Sequence, residues 1–292
     1  MMGKRTTSVM MLTALLGIGA VAAGFGPGFS GSPAAQASQG EDWAKVLEER
    51  APSLVTVKFV LKFEPAGEQQ ETEISALVID SKGLILASNF QTGGFPPLIQ
   101  AQMSGMTATP TEMKVLIGED VEGIPAKLIA RDSELDLAWI QIDESAGKTF
   151  TAVDLSKSSK PSVGDTLLTI NHLGKFFDRA PVIKTTRMGG STKKPRHLYV
   201  PADNAIAGEF GTPVFAVDGS IVGFTAMQLP EAEDVQGGES AREYMTAVIL
   251  PAEAIVRATK RALESAAANP PAEPAKTDAA PAIDPAAPSD KK

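Results

Sequence analysis

From Ser53 onward the chain is divided into about a dozen short β-rich runs, and nearly every gap between them holds Gly, Pro, Asp or Ser. Ser53–Phe63 (SLVTVKFVLKF) sets the pattern. Val55, Val57, Phe59, Leu61 and Phe63 make one apolar face, while Leu54, Thr56, Lys58, Val60 and Lys62 make a mixed one. Runs at Ile74–Asp80, Leu84–Asn89, Met113–Ile117, Ala126–Ala130 and Leu137–Ile142 follow. A second set falls at Thr166–Ile170, Val182–Thr186, Pro213–Val217, Ile221–Met227 and Met245–Ile249. Asp80-Ser81-Lys82-Gly83 and Asp218-Gly219-Ser220 are turns by composition. Runs this short with turns this regular exclude a helical bundle and a doubly wound sheet, and predict an all-β sandwich or barrel.

Helices are expected only at the borders of this region, over Glu41–Arg50 and Pro251–Leu263. Gln91–Glu112 reads as one long loop, and its Phe95, Met103 and Met106 are candidate contact residues. A second exposed loop is expected at Glu231–Glu239 (EAEDVQGGE), read as a solvated segment.

The ends of the chain are of another kind. Lys4 and Arg5 precede an uncharged, mostly apolar stretch, Val9–Phe25, and Ala35-Gln36-Ala37 gives an A-x-A cleavage pattern. Residues 1–37 therefore read as a signal peptide, which places the protein in an exported compartment, periplasmic or extracellular. A membrane contact is expected only if that segment stays uncleaved. Glu264–Lys292 holds ten Ala and six Pro in 29 residues and reads as a flexible tail. This leaves 38–52 as a helical lead-in and 53–263 as the folded domain, divided near 144–162.

Composition narrows the chemistry. The chain has no Cys, which excludes disulfides, thiolate catalysis and zinc-finger or iron–sulfur sites; His172 and His197 are its only histidines. The net charge is −8, with 27 Lys and Arg against 35 Asp and Glu, so no nucleic-acid partner is expected. Gly147-Lys148-Thr149 has Ile142 where a P-loop needs its first glycine. Asp132, Glu134 and Asp136 alternate, but such a pattern is ordinary for a solvated stretch, and neither a metal nor a cofactor is expected.

Four segments in order resemble trypsin-like serine proteases of the bacterial HtrA/Deg branch. Gly83-Leu84-Ile85-Leu86-Ala87-Ser88-Asn89-Phe90-Gln91 is similar to the G-(Y/F)-(I/V)-(L/V)-T-N-x-H-V motif that bears the family's catalytic His. Ala126–Trp139 resembles the A-x-(V/L)-x-x-x-D-x-x-x-D-L-A-(V/L) motif of the catalytic Asp, with Asp136 at that position. Val163–Asn171 looks like V-G-(D/E)-x-(V/L)-x-A-I-G. Asp203–Val214 resembles the nucleophile motif D-A-x-(I/V)-N-x-G-(N/D)-S-G-G-P-(L/V), one residue shorter before Gly208, with Phe210 in place of the Ser.

The resemblance implies a fold of two six-stranded antiparallel β-barrels with a C-terminal helix, no following PDZ domain, and assembly as a homo-oligomer, a trimer. It also implies a degenerate triad: Phe90, Asp136 and Phe210 at the three catalytic positions. Gly208, Glu209 and Phe210 then form the remnant oxyanion-hole region, where Glu209 brings a negative charge and Thr212 replaces a glycine. His172 falls in a loop that the family keeps near its substrate-binding region.

Phenylalanine has neither a lone pair nor an exchangeable proton, so it replaces neither nucleophile nor base. Ser88, Thr212 and Ser75 are the hydroxyls near these motifs, and the resemblance puts neither histidine beside one of them. If the fold is kept, the two rings meet between the barrels. Each then contributes about 1.5–3 kcal/mol when fully buried, and a favourable ring geometry adds about 0.5–1.5 kcal/mol. Asp136 is expected to accept backbone N–H bonds from the turn near Asn89 or to stay protonated. The reading is an inactive protease homologue that binds a protein or peptide. Its alternatives are an active hydrolase with displaced catalytic residues and a structural envelope protein.

Overall fold

The computed structural model describes residues 33–103, 105–118, 120–143, 148–229 and 246–268, of which 33–41, 101 and 246 are described by backbone alone. The expected leader up to residue 32, the acidic segment 231–239 and the tail from residue 269 lie outside them.

Six strands close the first barrel: β1 (Leu54–Glu64), β2 (Gln69–Asp80), β3 (Leu84–Ser88), β4 (Thr107–Leu116), β5 (Ile124–Asp132) and β6 (Leu137–Ile142), in the order β1-β2-β3-β6-β5-β4. Six more close the second: β7 (Thr166–His172), β8 (Pro181–Ser191), β9 (Tyr199–Pro201), β10 (Pro213–Ala216), β11 (Ile221–Gln228) and β12 (Thr246–Pro251), in the order β10-β11-β12-β9-β8-β7. Neighbouring strands pair antiparallel, as in Leu54↔Leu77 and Leu167↔Thr186. Helix α1 (Pro33–Arg50) leads in, α2 (Pro97–Gln102) lies between β3 and β4, and α3 (Ala252–Ala268) closes the fold. This is the expected all-β double barrel.

The alternation along β1 explains the layout of the core. Val55, Val57, Phe59 and Leu61 point into the first barrel with Ile85, Val115 and Ile140. The second barrel encloses a smaller set, including Leu167, Val214, Val222 and Ile249. The largest cluster lies between the barrels. There Leu54, Leu77, Leu86, Leu137 and Trp139 meet Leu168, Ile170, Phe215, Phe224 and Leu250, with Val46 of α1 and Ile255 and Ala258 of α3 sealing the cluster. Polar ties cross the same seam, among them a bidentate ion pair from Arg179 to Glu73 at 2.8 and 3.0 Å.

Several boundaries differ from the sequence expectation. Gln91–Glu112 is not one long loop: it contains α2 and the first half of β4. Thr107–Thr111, Pro110 among them, pair with Val60–Glu64 of β1. On its other side β4 meets β5 only at Lys114 and Val115. Strand β9 was missed because three residues ending in proline carry no alternation. Helix α1 starts at Pro33, not Glu41. Helix α3 starts at Ala252, with Pro251 as the last residue of β12, and it runs on through Glu264–Ala268, which had been assigned to the tail. Those five residues lack proline, and three are the strong helix former Ala.

Helix α3 is fixed by a half-buried bond. Trp139, 1% exposed, donates its indole N–H to Thr259 Oγ1 at 3.0 Å. Thr259→Val keeps the shape and leaves that N–H unpaired. A loss of about 1–3 kcal/mol is expected, read as a lower urea midpoint at unchanged m.

Candidate functional site

The three motif positions converge where the barrels meet. Strand β3 ends at Ser88, and residues 89–93 turn back so that Phe90 faces the seam. An arginine whose guanidinium is tucked against the backbone holds this turn. Arg131 at the end of β5 donates to Asn89 Oδ1 (2.7 Å), Asn89 O (3.3 Å), Thr92 Oγ1 (2.9 Å) and Thr92 O (2.7 Å). Burial pushes its guanidinium down to about 10, so it remains a cation at neutral pH. Sequence reasoning missed this role, because nothing local distinguishes Arg131 from a surface arginine of the β5 pattern.

Phe210 arrives from the second barrel on a turn flanked by Gly208 and Gly211, both at φ +79°. Gly211 is also required sterically: a Cβ there would come within 3.1 Å of Ser88 N and Cβ, where the two barrels touch. Phe210 is 8% exposed, and its ring meets Phe90 edge to face, with centroids 6.2 Å apart and an 82° interplanar angle. Phe95 continues the stack from the other side, 5.9 Å from Phe90 at 66°. Phe95 is therefore part of the ring cluster and packs partly buried on the first-barrel core, whereas Met103 and Met106 flank the C-terminal end of α2 half-buried.

Asp136 lies beneath the rings, 2% exposed, in a turn that holds it at φ +55°, a conformation that Asp tolerates better than most residues. Its carboxyl accepts from Phe90 N–H (2.7 Å), Ser88 Oγ (2.9 and 3.1 Å) and Met227 N–H (2.9 Å). The Phe90 contact is of the kind expected near Asn89; the Met227 contact from β11 ties one barrel to the other. Burial outweighs these donors and pushes the Asp136 carboxyl up to about 6.

Glu209 does not present an isolated charge at the Gly208–Phe210 turn. Its side chain is 12% exposed and pairs with Lys184 of β8. That lysine lies 25 residues upstream, and β8 alternation gave no sign of it. Among the described residues, neither Gly208 N–H nor Phe210 N–H has a backbone acceptor.

The other candidates go elsewhere. His172 is the last residue of β7, not part of a loop. It sits at the seam, with Nδ1 3.5 Å from Thr56 Oγ1 and its own N–H toward Ser75 Oγ at 3.4 Å. Burial, then the Arg179 charge, lower its pKa. His197 packs edge to face on Tyr199. Ser88 is fully buried and spent on Asp136, and Thr212 is buried against Thr225. Asp132 caps Leu135 N–H, Glu134 pairs with Arg196, and Asp136 faces the barrels' own donors. The alternating acids thus point to three different partners, and no group of three metal-binding side chains occurs among the described residues.

A family profile of the trypsin-like peptidase domain matches residues 75–224, half of the chain. The chain belongs to the trypsin-like peptidase family. Within it, the HtrA branch is the one it resembles. It is 31% identical over 136 residues to the serine protease Do-like HtrA of Bacillus subtilis (strain 168), an alignment spanning 44% of this chain and 29% of that protein. The chain thus spans under a third of the length of the curated relative it matches. Among solved structures, the HtrA-type protease AlgW with a tripeptide superposes with a TM-score of 0.51 at 17% identity, covering 76% of this chain and 64% of AlgW. A substituted AlgW with a decapeptide gives the same TM-score and identity, covering 67% of that chain. These superpositions report the shared fold.

Proposed function

We propose that this chain is an exported trypsin-like pseudoprotease: it has lost the catalytic His and Ser, and it acts by binding a protein or peptide. The observation that carries this is the edge-to-face contact of Phe90 and Phe210 above a carboxyl already engaged by backbone donors. Acyl transfer needs a hydroxyl, a base to take its proton, and a carboxylate to orient that base. Here two hydrocarbon rings fill the first two places, and the third group has been turned into a tie between the barrels. Loss of a nucleophile alone costs about a millionfold in such enzymes.

Binding by strand addition needs only backbone groups and shallow pockets. The second barrel offers them. Its closure between β9 and β12 rests on the single pair Ile249↔Tyr199, so Thr246–Val248 have no ladder partner on that side among the described residues. The apolar leader Val9–Phe25 supports placement outside the cytoplasm.

The test has two arms. Purified protein incubated with a serine-directed fluorophosphonate probe and a fluorogenic casein is expected to show neither labelling nor turnover. Stoichiometric labelling of any Ser or Thr would reinstate a hydrolase with displaced residues. Crosslinking of the native envelope followed by mass spectrometry is expected to capture a partner at residues 246–248 or beside the ring cluster. Crosslinks confined to residues 264–292 would point instead to a structural spacer.

A further inference from the structure

A second groove is lined by neither Phe90 nor Phe210, though Arg131, which holds the Phe90 turn, borders it. It runs between α3, the turn joining β5 to β6, and the segment just before β9, and it encloses about 980 Å³. That volume is at the upper end for a ligand site. Leu135, Leu250 and Pro251, all buried, lie at its base. Its walls carry Arg196, Arg257, Lys260 and Arg261. With Arg131 the lining holds five cations, against the four acids Asp132, Glu134, Glu253 and Glu264.

Those acids form no ion pair with the cations of α3 among the described residues. Glu134 pairs with Arg196 at 3.3 Å, Glu253 pairs with Lys160 outside the groove at 3.0 Å, and Asp132 caps Leu135 N–H. Arg257, Lys260 and Arg261 are exposed and have no carboxylate within 4 Å among the described residues; Glu264 is the one acid left beside them.

We propose that this groove binds an extended acidic polypeptide segment of a partner protein. The spacing suits such a chain. Arg257 and Arg261 are four residues apart on a helix, about 6 Å along its axis, and carboxylates two residues apart on a strand are separated by about 7 Å. Acidic side chains on one face of such a strand reach the α3 cations, and the alternate residues point away from them.

Fluorescence anisotropy on the full chain tests this with two labelled hexapeptides, one alternating Glu and Val and one alternating Gln and Val. The Glu peptide is expected to bind saturably, at least about tenfold more tightly than the Gln peptide, and to weaken as salt rises. Reversal of α3 (Arg257→Glu, Lys260→Glu, Arg261→Glu) should cost at least about tenfold. Reversal of the exposed Lys45 and Lys62 to Glu should change affinity by less than about twofold. If the triple variant loses its native circular dichroism, Lys260→Gln with Arg261→Gln is used instead, with about a threefold loss expected.

Equal affinity for the two peptides, or affinity untouched by the α3 variants, overturns the proposal. So does a gain of tenfold or more on changing Glu231, Glu233, Asp234 and Glu239 to Gln or Asn, which would make the chain's own segment the occupant. Binding to phosphatidylserine vesicles with the same sensitivity to the α3 variants would assign the groove to lipid and overturn it as well.

Discussion

Phe210→Ala is expected to lower stability by about 3–5 kcal/mol, the range for removing a buried phenyl ring that its neighbours do not refill. The ring is 8% exposed and packs on Phe90 across the seam, so its removal opens a void between two domains that cannot collapse independently. Phe90→Ala should cost less, because Phe90 is only half-buried. A double-mutant cycle on the pair should return a coupling of about 0.5–1.5 kcal/mol from the edge-to-face geometry. Urea unfolding followed by Trp fluorescence measures all three. A loss below about 1 kcal/mol for Phe210→Ala would mean that the ring is not a staple between the barrels.

The second large effect is a pH dependence centred on Asp136. Its carboxyl titrates near 6 in the folded chain and near 3.8 when exposed. Between those values the folded state holds the extra proton, so stability falls as pH rises. The favourable contribution is complete below about pH 4, lost progressively toward pH 6 and absent above it. A shift of that size corresponds to roughly 3 kcal/mol. His172 works against this. Its lowered pKa makes the fold disfavour the imidazolium, so it contributes stability that is lost as pH falls below about 6.5. The carboxylates of Asp154, Asp203 and Asp218, held below their usual range by local hydrogen bonds, act only at more acidic pH.

Subtracting the Asp136→Asn variant from the native protein isolates the Asp136 effect. Asparagine also loses an acceptor, either for Met227 N–H or for Phe90 N–H, but that offset does not vary with pH. The difference in unfolding free energy should fall by roughly 3 kcal/mol between pH 4 and pH 7. A flat difference would show that Asp136 remains charged throughout, held by its three donors.

Much of this site was legible because the motifs are local. Gly83–Gln91 and Asp203–Val214 each lie on one turn, and within each turn the residue type fixes the available chemistry. Phe90 and Phe210 were therefore identifiable as positions before any coordinate. Elements whose stability comes from distant partners were misread. Pro110 looked like a loop residue until β1 was seen to pair beside it, and β9 was too short to show any period. Glu209 looked like a charge aimed at an oxyanion, because nothing around it in sequence announces Lys184.

By itself the amino-acid order determined the strand alternation, the turns, the absence of thiol chemistry and the phenyl rings at positions 90 and 210. These are properties of neighbouring residues and survive in any arrangement of the chain. Only the tertiary structure decided that Met227, 91 residues away, completes the shell of Asp136. It also decided that Arg131 clamps the Phe90 turn and that three cations of α3 share a groove with Arg196. Such contacts depend on how two closed barrels dock, and docking is set by the summed burial of the seam, which no local pattern encodes.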